Sequence, residues 1–521
     1  MRISYIQNTT KSIFWGIINK FVIILMPFVI RTILIYKLGA EYAGLSSLFT
    51  SILRVLNMAE LGFAGAVAFS MYEPVAKDDT AKICALLAFY RKLYRIMGCI
   101  VLAIGIALIP YLNYLVKGST PSDINLQVLY LIYLVDTAAS YFLFSYKNII
   151  LNVYQRIDIV SNVSTVLHIL IYAVQILILV ILKSYYAYIV LEIAYTILNN
   201  IIAARYVSKL YPQYKCRGKL PLSEIKSIGK NVYGMLLFKI CSVTRNSLDN
   251  VFISAFIGLR SVAIYGNYYY IFSAVANIQA VIMESIKGAI GNKIAIDTPE
   301  KNHHDMLVFM FIYAWFSGWC SVCMLCLYQP FICLWVGESM MLSTSIMVMF
   351  CLYFYVTSMG AIRFLYHQSA GLFWQWRYWT VAEALVNIVG NFILVQIWGL
   401  FGVVAATIIS LLTVDFFFSS FIVYKFYFKN GKIWIYFRDH FYYLFVTAAV
   451  GAATYFLCCM IPVYGVLAIV VRLMICLVLP NILFFVFYFK LSVFRDAKII
   501  AGKVAKYILG KRVKVNKNGV I

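Results

Sequence analysis

Two polar stripes inside long apolar stretches hold the side chains of this sequence that are best suited to bind a ligand. In the first stripe, polar residues recur at i, i+3, i+4, i+7 and i+8, which is one face of a helix. This stripe consists of Ser242, Arg245, Asn246, Asp249 and Asn250. A polar face about two turns long is unstable against an apolar surface. The stripe therefore predicts a polar cavity lined by this helix.

The second stripe lies nearer the N-terminus and ends on an arginine and an asparagine. It consists of Ser46, Ser47, Thr50, Ser51, Arg54 and Asn57. Arg31 stands in the preceding apolar stretch, and neither Arg31 nor Arg54 has an acidic residue three or four positions away. Guanidinium groups bind phosphate through paired hydrogen bonds, so we expect an anionic substrate. The predicted substrate-binding residues are Arg31, Arg54, Asn57, Arg245, Asn246 and Asn250.

Asp249 has two interpretations. It is a functional candidate, because an ionisable residue within an apolar stretch faces a cavity or a partner. Alternatively, Asp249 and Arg245 form an i,i+4 ion pair that only holds helices together. The second interpretation leaves Arg31 and Arg54 unexplained.

The composition places these stripes in a membrane protein. Of the 521 residues, 63% are hydrophobic and only 12% are charged. In soluble domains about half of the residues are apolar and about a quarter are charged. This composition therefore excludes a cytosolic enzyme, a disordered chain and a secreted disulfide scaffold. The formal net charge is +24. Membrane proteins collect Lys and Arg in cytoplasmic loops, and we therefore expect no nucleic-acid partner.

The apolar runs predict an all-α polytopic protein with about fourteen membrane-spanning helices. Their predicted bounds are 12–38, 44–72, 82–112, 124–146, 159–182, 185–207, 230–258, 261–294, 306–336, 339–366, 376–398, 401–428, 440–461 and 465–489. Most Lys and Arg residues fall in every second loop and in the tail, which predicts both termini in the cytoplasm. All outer loops are short, so we expect the function to reside within the membrane.

An internal repeat predicts two lobes. Gly39 follows an apolar residue between spans one and two, and Gly258 does so between spans seven and eight. Tyr154 and Trp374, each followed by Gln, recur at the same spacing to within one residue. Two parallel six-span repeats suit a transporter that rocks around a central cleft. The predicted domains are 1–208 (N-lobe), 209–229 (cytoplasmic loop), 230–428 (C-lobe), 429–490 (spans 13 and 14) and 491–521 (basic cytoplasmic tail).

Other ionisable residues also fall inside the predicted spans, where each costs at least ~2.5 kcal/mol at the bilayer centre. With those already named, the set comprises Lys20, Arg31, Arg54, Glu60, Asp136, Glu192, Lys239, Arg245, Asp249, Glu284, Glu383, Asp415 and Arg472. Cysteines Cys320, Cys323 and Cys326 recur at every third position. We interpret them as small helix residues without a metal, since no second Cys or His group lies in a polar loop.

Two stretches of the sequence are typical of a known family. They are Arg31-Thr32-Ile33-Leu34 through Leu38-Gly39 to Tyr42-Ala43-Gly44-Leu45, and Asn246-x-x-Asp249 through Gly258 to Ala263-Ile264-Tyr265. In these stretches the sequence resembles the Wzx-type polysaccharide flippases of the multidrug/oligosaccharidyl-lipid/polysaccharide exporter (MOP) superfamily, and the resemblance covers nearly the whole chain. The family typically has an Arg, an apolar-Gly turn and a Gly-Leu pair that opens span two.

The resemblance implies a flippase, not an enzyme, and no cofactor. It also makes Asp249 a candidate for coupling to an ion or a proton. Its substrate would be an isoprenoid-diphosphate-linked oligosaccharide repeat unit, moved from the inner to the outer leaflet of a bacterial plasma membrane by alternating access. Implied partners are membrane lipids, a polysaccharide polymerase and a chain-length regulator of O-antigen or capsule export. The alternatives are a peptidoglycan-precursor flippase, which the sequence does not separate, and two less favoured ones. A multidrug exporter usually has twelve spans and acidic residues, and a polymerase has a large outer loop.

Overall fold

The computed structural model describes residues 22–57, 67–68, 70–118, 120–154, 156–429, 432–461 and 465–508, and this described part contains helices but no strand. The first half of the described chain forms α1 (22–37), α2 (Ala40–Leu56), α3 (Thr80–Leu108), α4 (Leu126–Phe142), α5 (Asn148–Val153), α6 (Ile157–Leu177), α7 (Tyr185–Leu210) and α8 (Leu222–Phe256). The second half forms α9 (Leu259–Ile296), α10 (Pro299–Val336), α11 (Thr344–Met359), α12 (Ala361–Ser369), α13 (Phe373–Trp398), α14 (Leu400–Ser410), α15 (Ile433–Met460), α16 (Gly465–Tyr488) and α17 (Ser492–Ile508).

Local sequence explains where several helices begin. The side chain of Asp79 accepts a hydrogen bond from the backbone N–H of Lys82 at the start of α3. Thr298 caps α10 in the same way, and Pro299 occupies its first position, where no N–H is needed. These caps accept hydrogen bonds from backbone N–H groups that have no partner within the helix. The helix interiors are long and apolar, as the sequence predicts.

By length and hydropathy, nine helices in the described part of the chain can each cross a membrane, or up to ten if the bent pair Leu126–Phe142 and Ser145–Val153 is one span. The protein is therefore an all-α, multi-pass membrane protein. Helices α8 and α9 are long enough but less apolar, as expected from the polar stripe of α8. Parts of the first two predicted spans, including Lys20 and Glu60, lie outside the described residues, and the number fourteen stays a prediction.

The repeated glycines occupy two turns of the same geometry. Gly39 has φ 124° and Gly258 has φ 129°, a conformation that favours glycine. The carbonyl of Leu34 accepts the N–H groups of both Leu38 and Gly39. In the second turn, Ile253 accepts in the same way from Ile257 and Gly258. The shared pattern follows from the repeated sequence, whereas Gln155 of the second match lies outside the described residues. The division into six-span lobes stays a prediction.

Contacts group the chain into two compact units. The first comprises 1–266 and 388–403, and the second comprises 267–387 and 404–521. In the first unit, α2 packs on α8 and α4, and α7 packs on α4 and α6. In the second unit, α10 is the central helix and packs on α11, α15, α16 and α17. Its central position explains why α10 is apolar on all sides and lacks a polar face.

Gly44 allows α2 to approach a neighbouring backbone within the first unit. A Cβ atom at this position would overlap the main chain of Leu259, which begins α9. We expect Gly44→Ala to lower the free energy of unfolding by ~2 kcal/mol or more, because the backbone cannot move aside as a side chain does. The measurement is the thermal unfolding midpoint of the purified protein in detergent.

Gly291 provides the matched control for this prediction. It lies in α9, and a Cβ atom there meets nothing within 4 Å. Gly291→Ala should keep or slightly raise the unfolding midpoint, because alanine favours a helix over glycine. Equal unfolding midpoints for the two variants would contradict the close approach at Gly44.

Candidate functional site

A cavity of about 480 Å³ lies inside the first unit, between α2, α4 and α7. Its walls combine one arginine, two acidic residues and several hydroxyl groups. The lining residues are Ser46, Thr50, Leu53, Arg54, Asn57, Tyr133, Asp136, Thr137, Tyr188, Ile189 and Glu192. Four residues of the second sequence stripe line this cavity from one face of α2, namely Ser46, Thr50, Arg54 and Asn57.

Arg54 supplies the positive charge of this cavity. It lies in the last turn of α2, where the helix dipole favours a cation, and its side chain is exposed. Among the described residues it makes neither a hydrogen bond nor an ion pair. Its guanidinium donors can therefore bind an anion without first breaking a contact to another described residue.

Asp136 and Glu192 face the same cavity from α4 and α7. Asp136 Oδ1 accepts a hydrogen bond from the hydroxyl of Thr196 at 2.6 Å. Glu192 Oε1 accepts one from Gln175 Nε2 at 2.7 Å. The sequence marks both as ionisable residues inside spans, but not as neighbours of Arg54, because they lie far from it along the chain. The feature of the sequence that points to these two residues is the position of an acidic residue within an apolar run.

Two tyrosines, Tyr133 and Tyr188, line the cavity beside these charges. The hydroxyls of Tyr133 and Tyr185 lie 3.1 Å apart, and Tyr185 also donates to the carbonyl of Tyr42 at 3.2 Å. Tyr141 donates to Oδ1 of Asn57 at 3.0 Å, which fixes this amide in the cavity wall. Rings and hydroxyls together offer flat apolar faces and hydrogen bonds, a combination that suits a sugar.

Arg31 lies elsewhere in the first unit and does not line this cavity. Its Nη1 donates to Oγ of Ser47 at 3.3 Å, and its Nη2 donates to the carbonyl of Ala263 at 3.0 Å. A Cβ atom at Gly266 would lie 2.6 Å from Nη2, so glycine makes room for the guanidinium. Arg31 thus joins α1 to α2 and α9, and a role in substrate binding stays a prediction.

The stripe of α8 contacts other helices of the first unit and is not part of the cavity wall. Asp249 is 2% exposed and accepts hydrogen bonds from Tyr265 at 2.8 Å and from Asn391 at 3.0 Å. Asn250 Nδ2 donates to Oγ of Ser51 at 2.9 Å. Arg245 is half-buried in α8. The sequence did not single out Tyr265 or Asn391 as partners of the carboxylate.

The side chain of Asn246 lies outside the described residues, although its backbone belongs to α8. Of the six predicted substrate-binding residues, the structure therefore brings Arg54 and Asn57 together in one cavity. The polar side chains of α8 form hydrogen bonds with polar side chains of neighbouring helices. A polar side chain inside a membrane is most stable beside another polar group.

The second unit contains an ion pair that the sequence does not predict. The side chain of Arg363 in α12 is 3% exposed and donates to the carboxylate of Asp415, whose own side chain is 27% exposed. The sequence marks Asp415 as an ionisable residue inside a predicted span, but it does not identify Arg363 as the partner of Asp415. Asp415 lies in the π-helical turns Leu411–Ser419 that continue α14. Such turns are often found at functional sites, and here one presents a carboxylate to Arg363.

Solved structures with a similar fold are membrane transporters. The structure of the lipid II flippase MurJ in an inward closed conformation matches with a TM-score of 0.64 and 15% identity, over 93% of this chain and 99% of that chain. An inward-facing multidrug resistance MATE family transporter of the MOP superfamily matches with a TM-score of 0.61 and 15% identity, over 77% and 94%.

A third similar structure belongs to a MOP superfamily transporter from Pyrococcus furiosus, described as having a binding pocket of reverse polarity. It matches with a TM-score of 0.51 and 15% identity, over 78% of this chain and 93% of that chain. No family model and no curated protein matches the sequence. The chain therefore shares the all-α fold of MOP superfamily transporters, which confirms the predicted fold class.

Proposed function

We propose that this protein is a flippase for an isoprenoid-diphosphate-linked oligosaccharide, which it moves from the inner to the outer leaflet of a bacterial plasma membrane by alternating access. The observation that carries the proposal is the similarity in fold to a lipid II flippase along almost the full length of both chains. The match to the MATE transporter leaves a larger part of this chain uncovered. Wzx-type membership, as implied by the sequence resemblance, is part of this proposal.

The cavity of the first unit fits the chemistry of such a substrate. Arg54 offers an exposed guanidinium to the diphosphate, and charge-assisted hydrogen bonds of this kind are the strong ones. Asp136 and Glu192 accept hydrogen bonds from neutral donors and can accept further ones from sugar hydroxyls. Asn57, Tyr133 and Tyr188 supply neutral polar contacts. Arg31, Arg245, Asn246 and Asn250 are proposed to contact the substrate at other stages of transport.

The proposal also includes the membrane topology and the partners of the protein. Both termini lie in the cytoplasm, as the loop charges predict, and the partners are membrane lipids, a polysaccharide polymerase and a chain-length regulator. A peptidoglycan-precursor flippase is the second candidate, and the similarity to MurJ favours it over the remaining alternatives. The two candidates share a diphosphate and an isoprenoid, so the cavity chemistry suits either one.

Deletion of the gene, followed by extraction of lipid-linked sugars, tests the proposal. We expect a complete oligosaccharide-diphosphate lipid to accumulate on the cytoplasmic side and to disappear when the wild-type gene is restored. Accumulated peptidoglycan precursor would favour the second candidate. Complete but unpolymerised units on the outer face would identify a polymerase instead, and unchanged lipids with altered drug sensitivity would identify an exporter.

Asp249 is proposed to couple transport to an ion or a proton. We expect Asp249→Asn to stop transport, because the amide cannot carry the charge or exchange the proton. The double variant Arg245→Gln with Asp249→Asn should also be inactive. Surface polysaccharide in a complemented deletion strain is the measurement, with the amount of protein in the membrane as its reference.

Tyr265→Phe is the matched control for the coupling role, because it removes one donor to Asp249 and keeps the carboxylate. A hydrogen bond to a charged group contributes about 1.5–3 kcal/mol to stability. The carboxylate keeps its hydrogen bond from Asn391 in this variant, which should therefore still transport. Restored transport in the double variant would show that Asp249 and Arg245 only balance each other's charge.

A further inference from the structure

Three cysteine thiols from three different helices meet inside the second unit. Cys326 of α10, Cys458 of α15 and Cys476 of α16 place their Sγ atoms within 4.8 Å of one another. Cys326, Cys458 and Cys476 are each fully buried, with 0% exposure. In the sequence, Cys326 is distinguished only by its regular spacing from Cys320 and Cys323. The two other thiols come from helices far along the chain, where no spacing rule finds them.

Two of the three cysteines stand four residues before a proline inside a helix. Cys326 precedes Pro330 in α10, and Cys476 precedes Pro480 in α16, both in the sequence Cys-Leu-x-x-Pro. Proline has no N–H, so the carbonyl four residues earlier loses its intrahelical hydrogen bond. In each helix that carbonyl is the one of the cluster cysteine.

Neighbouring helices supply donors to both freed carbonyls. Arg472 Nη1 of α16 donates to the carbonyl of Cys326 at 3.3 Å. Trp319 Nε1 of α10 donates to the carbonyl of Cys476 at 2.8 Å. The two helices therefore hold each other's cysteine backbone in place by reciprocal hydrogen bonds. This arrangement fixes the positions from which the thiols project.

The spacing of the sulfur atoms fits a bound metal ion. Metal–sulfur bonds of about 2.3 Å place the sulfurs of one ion roughly 4 Å apart, close to the observed upper limit. Thiolates select soft ions such as Cu(I) and Zn(II) over Mg²⁺ or Ca²⁺. Arg472 brings a positive charge to the cluster, which offsets part of the negative charge of bound thiolates.

We propose that Cys326, Cys458 and Cys476 form a buried thiolate site for one d10 ion, Cu(I) or Zn(II), that joins α10, α15 and α16. Binding exchanges each S–H bond for a bond between sulfur and the metal, and the thiol protons leave to the solvent. No electron is transferred, because the ion keeps its oxidation state. The ion stabilises the folded second unit, since it binds only where the three helices come together.

The test uses the purified full-length protein, reduced and kept without oxygen, loaded in one arm with Cu(I) held by a competing chelator and in the other with zinc chloride. We expect about one firmly bound ion per chain in at least one arm, sulfur-to-metal absorption for Cu(I), and a higher thermal unfolding midpoint. Cys458→Ala should lose the bound ion. Cys459→Ala is the matched control, because this neighbouring cysteine is exposed, and it should bind as the wild type does.

Equal metal content of the wild type and Cys458→Ala would overturn the proposal, and so would a wild type that binds neither ion. If Cys458→Ala does not fold, X-ray absorption of the loaded wild type decides. Three sulfur neighbours at about 2.3 Å support the site. Nitrogen or oxygen neighbours place the ion elsewhere and contradict it.

Discussion

Replacement of Arg54 by alanine is expected to abolish flipping and leave insertion into the membrane intact. The exposed guanidinium of Arg54 is the positive charge in the wall of the first unit's cavity, and no described residue pairs with it. Hydrogen bonds to a charged group contribute about 1.5–3 kcal/mol each, so we expect a loss of at least roughly 10- to 100-fold in substrate binding. Surface polysaccharide in a deletion strain that carries the variant is the measurement.

Two further variants sharpen this prediction. Arg54→Lys keeps the charge but loses the paired donors, and it should retain part of the activity. Arg95→Ala removes an exposed arginine of α3 that lies outside the cavity, and it should behave as the wild type does. Normal surface polysaccharide in the Arg54→Ala strain would rule out Arg54 as the anion ligand.

The second large effect is expected at the buried ion pair of the second unit. Asp415→Ala leaves the guanidinium of Arg363 buried without its carboxylate. Removal of one partner of a buried pair typically lowers the free energy of unfolding by about 3–5 kcal/mol, and we expect the lower end of this range because the Asp415 side chain is 27% exposed. We expect a much lower thermal unfolding midpoint in detergent, or no folded protein.

Removal of both charges separates this effect from a loss of packing. The double variant Arg363→Met with Asp415→Leu should recover most of the stability, because no charge is then left unpaired. Glu73→Ala breaks an ion pair with Lys77 that is exposed on both sides, and it should leave the unfolding midpoint unchanged. A stable Asp415→Ala variant would show that water or another group reaches Arg363.

The sequence predicts the parts of this fold that depend on local chemistry. Apolar runs predict the long helices, and the repeated glycines predict two turns whose φ angles agree within a few degrees. Four residues of the polar stripe of α2 line one cavity, because residues three and four apart share one helix face. Such rules need only neighbours along the chain.

Contacts between distant helices follow no such rule. The stripe of α8 has the same periodicity as that of α2, yet Asn250 contacts Ser51 and Asp249 contacts Asn391 instead of the cavity. A polar face shows only that polar surroundings are needed, and another helix can supply them as well as a cavity can. The acidic residues opposite Arg54, the partner of Arg363 and the thiol cluster were unpredictable for the same reason.

The most direct test of the proposed function is a transport measurement with the purified protein in lipid vesicles. An isoprenoid-diphosphate oligosaccharide is placed in both leaflets, and a lectin that cannot cross the membrane binds only the sugars on the outside. With the wild-type protein, we predict that the sugars initially inside become accessible to the lectin over time, and that Arg54→Ala vesicles show no such increase. The opposite result is a lectin-accessible fraction that stays at its initial level with the wild-type protein under an ion gradient of either direction. That result would contradict the proposed flippase function.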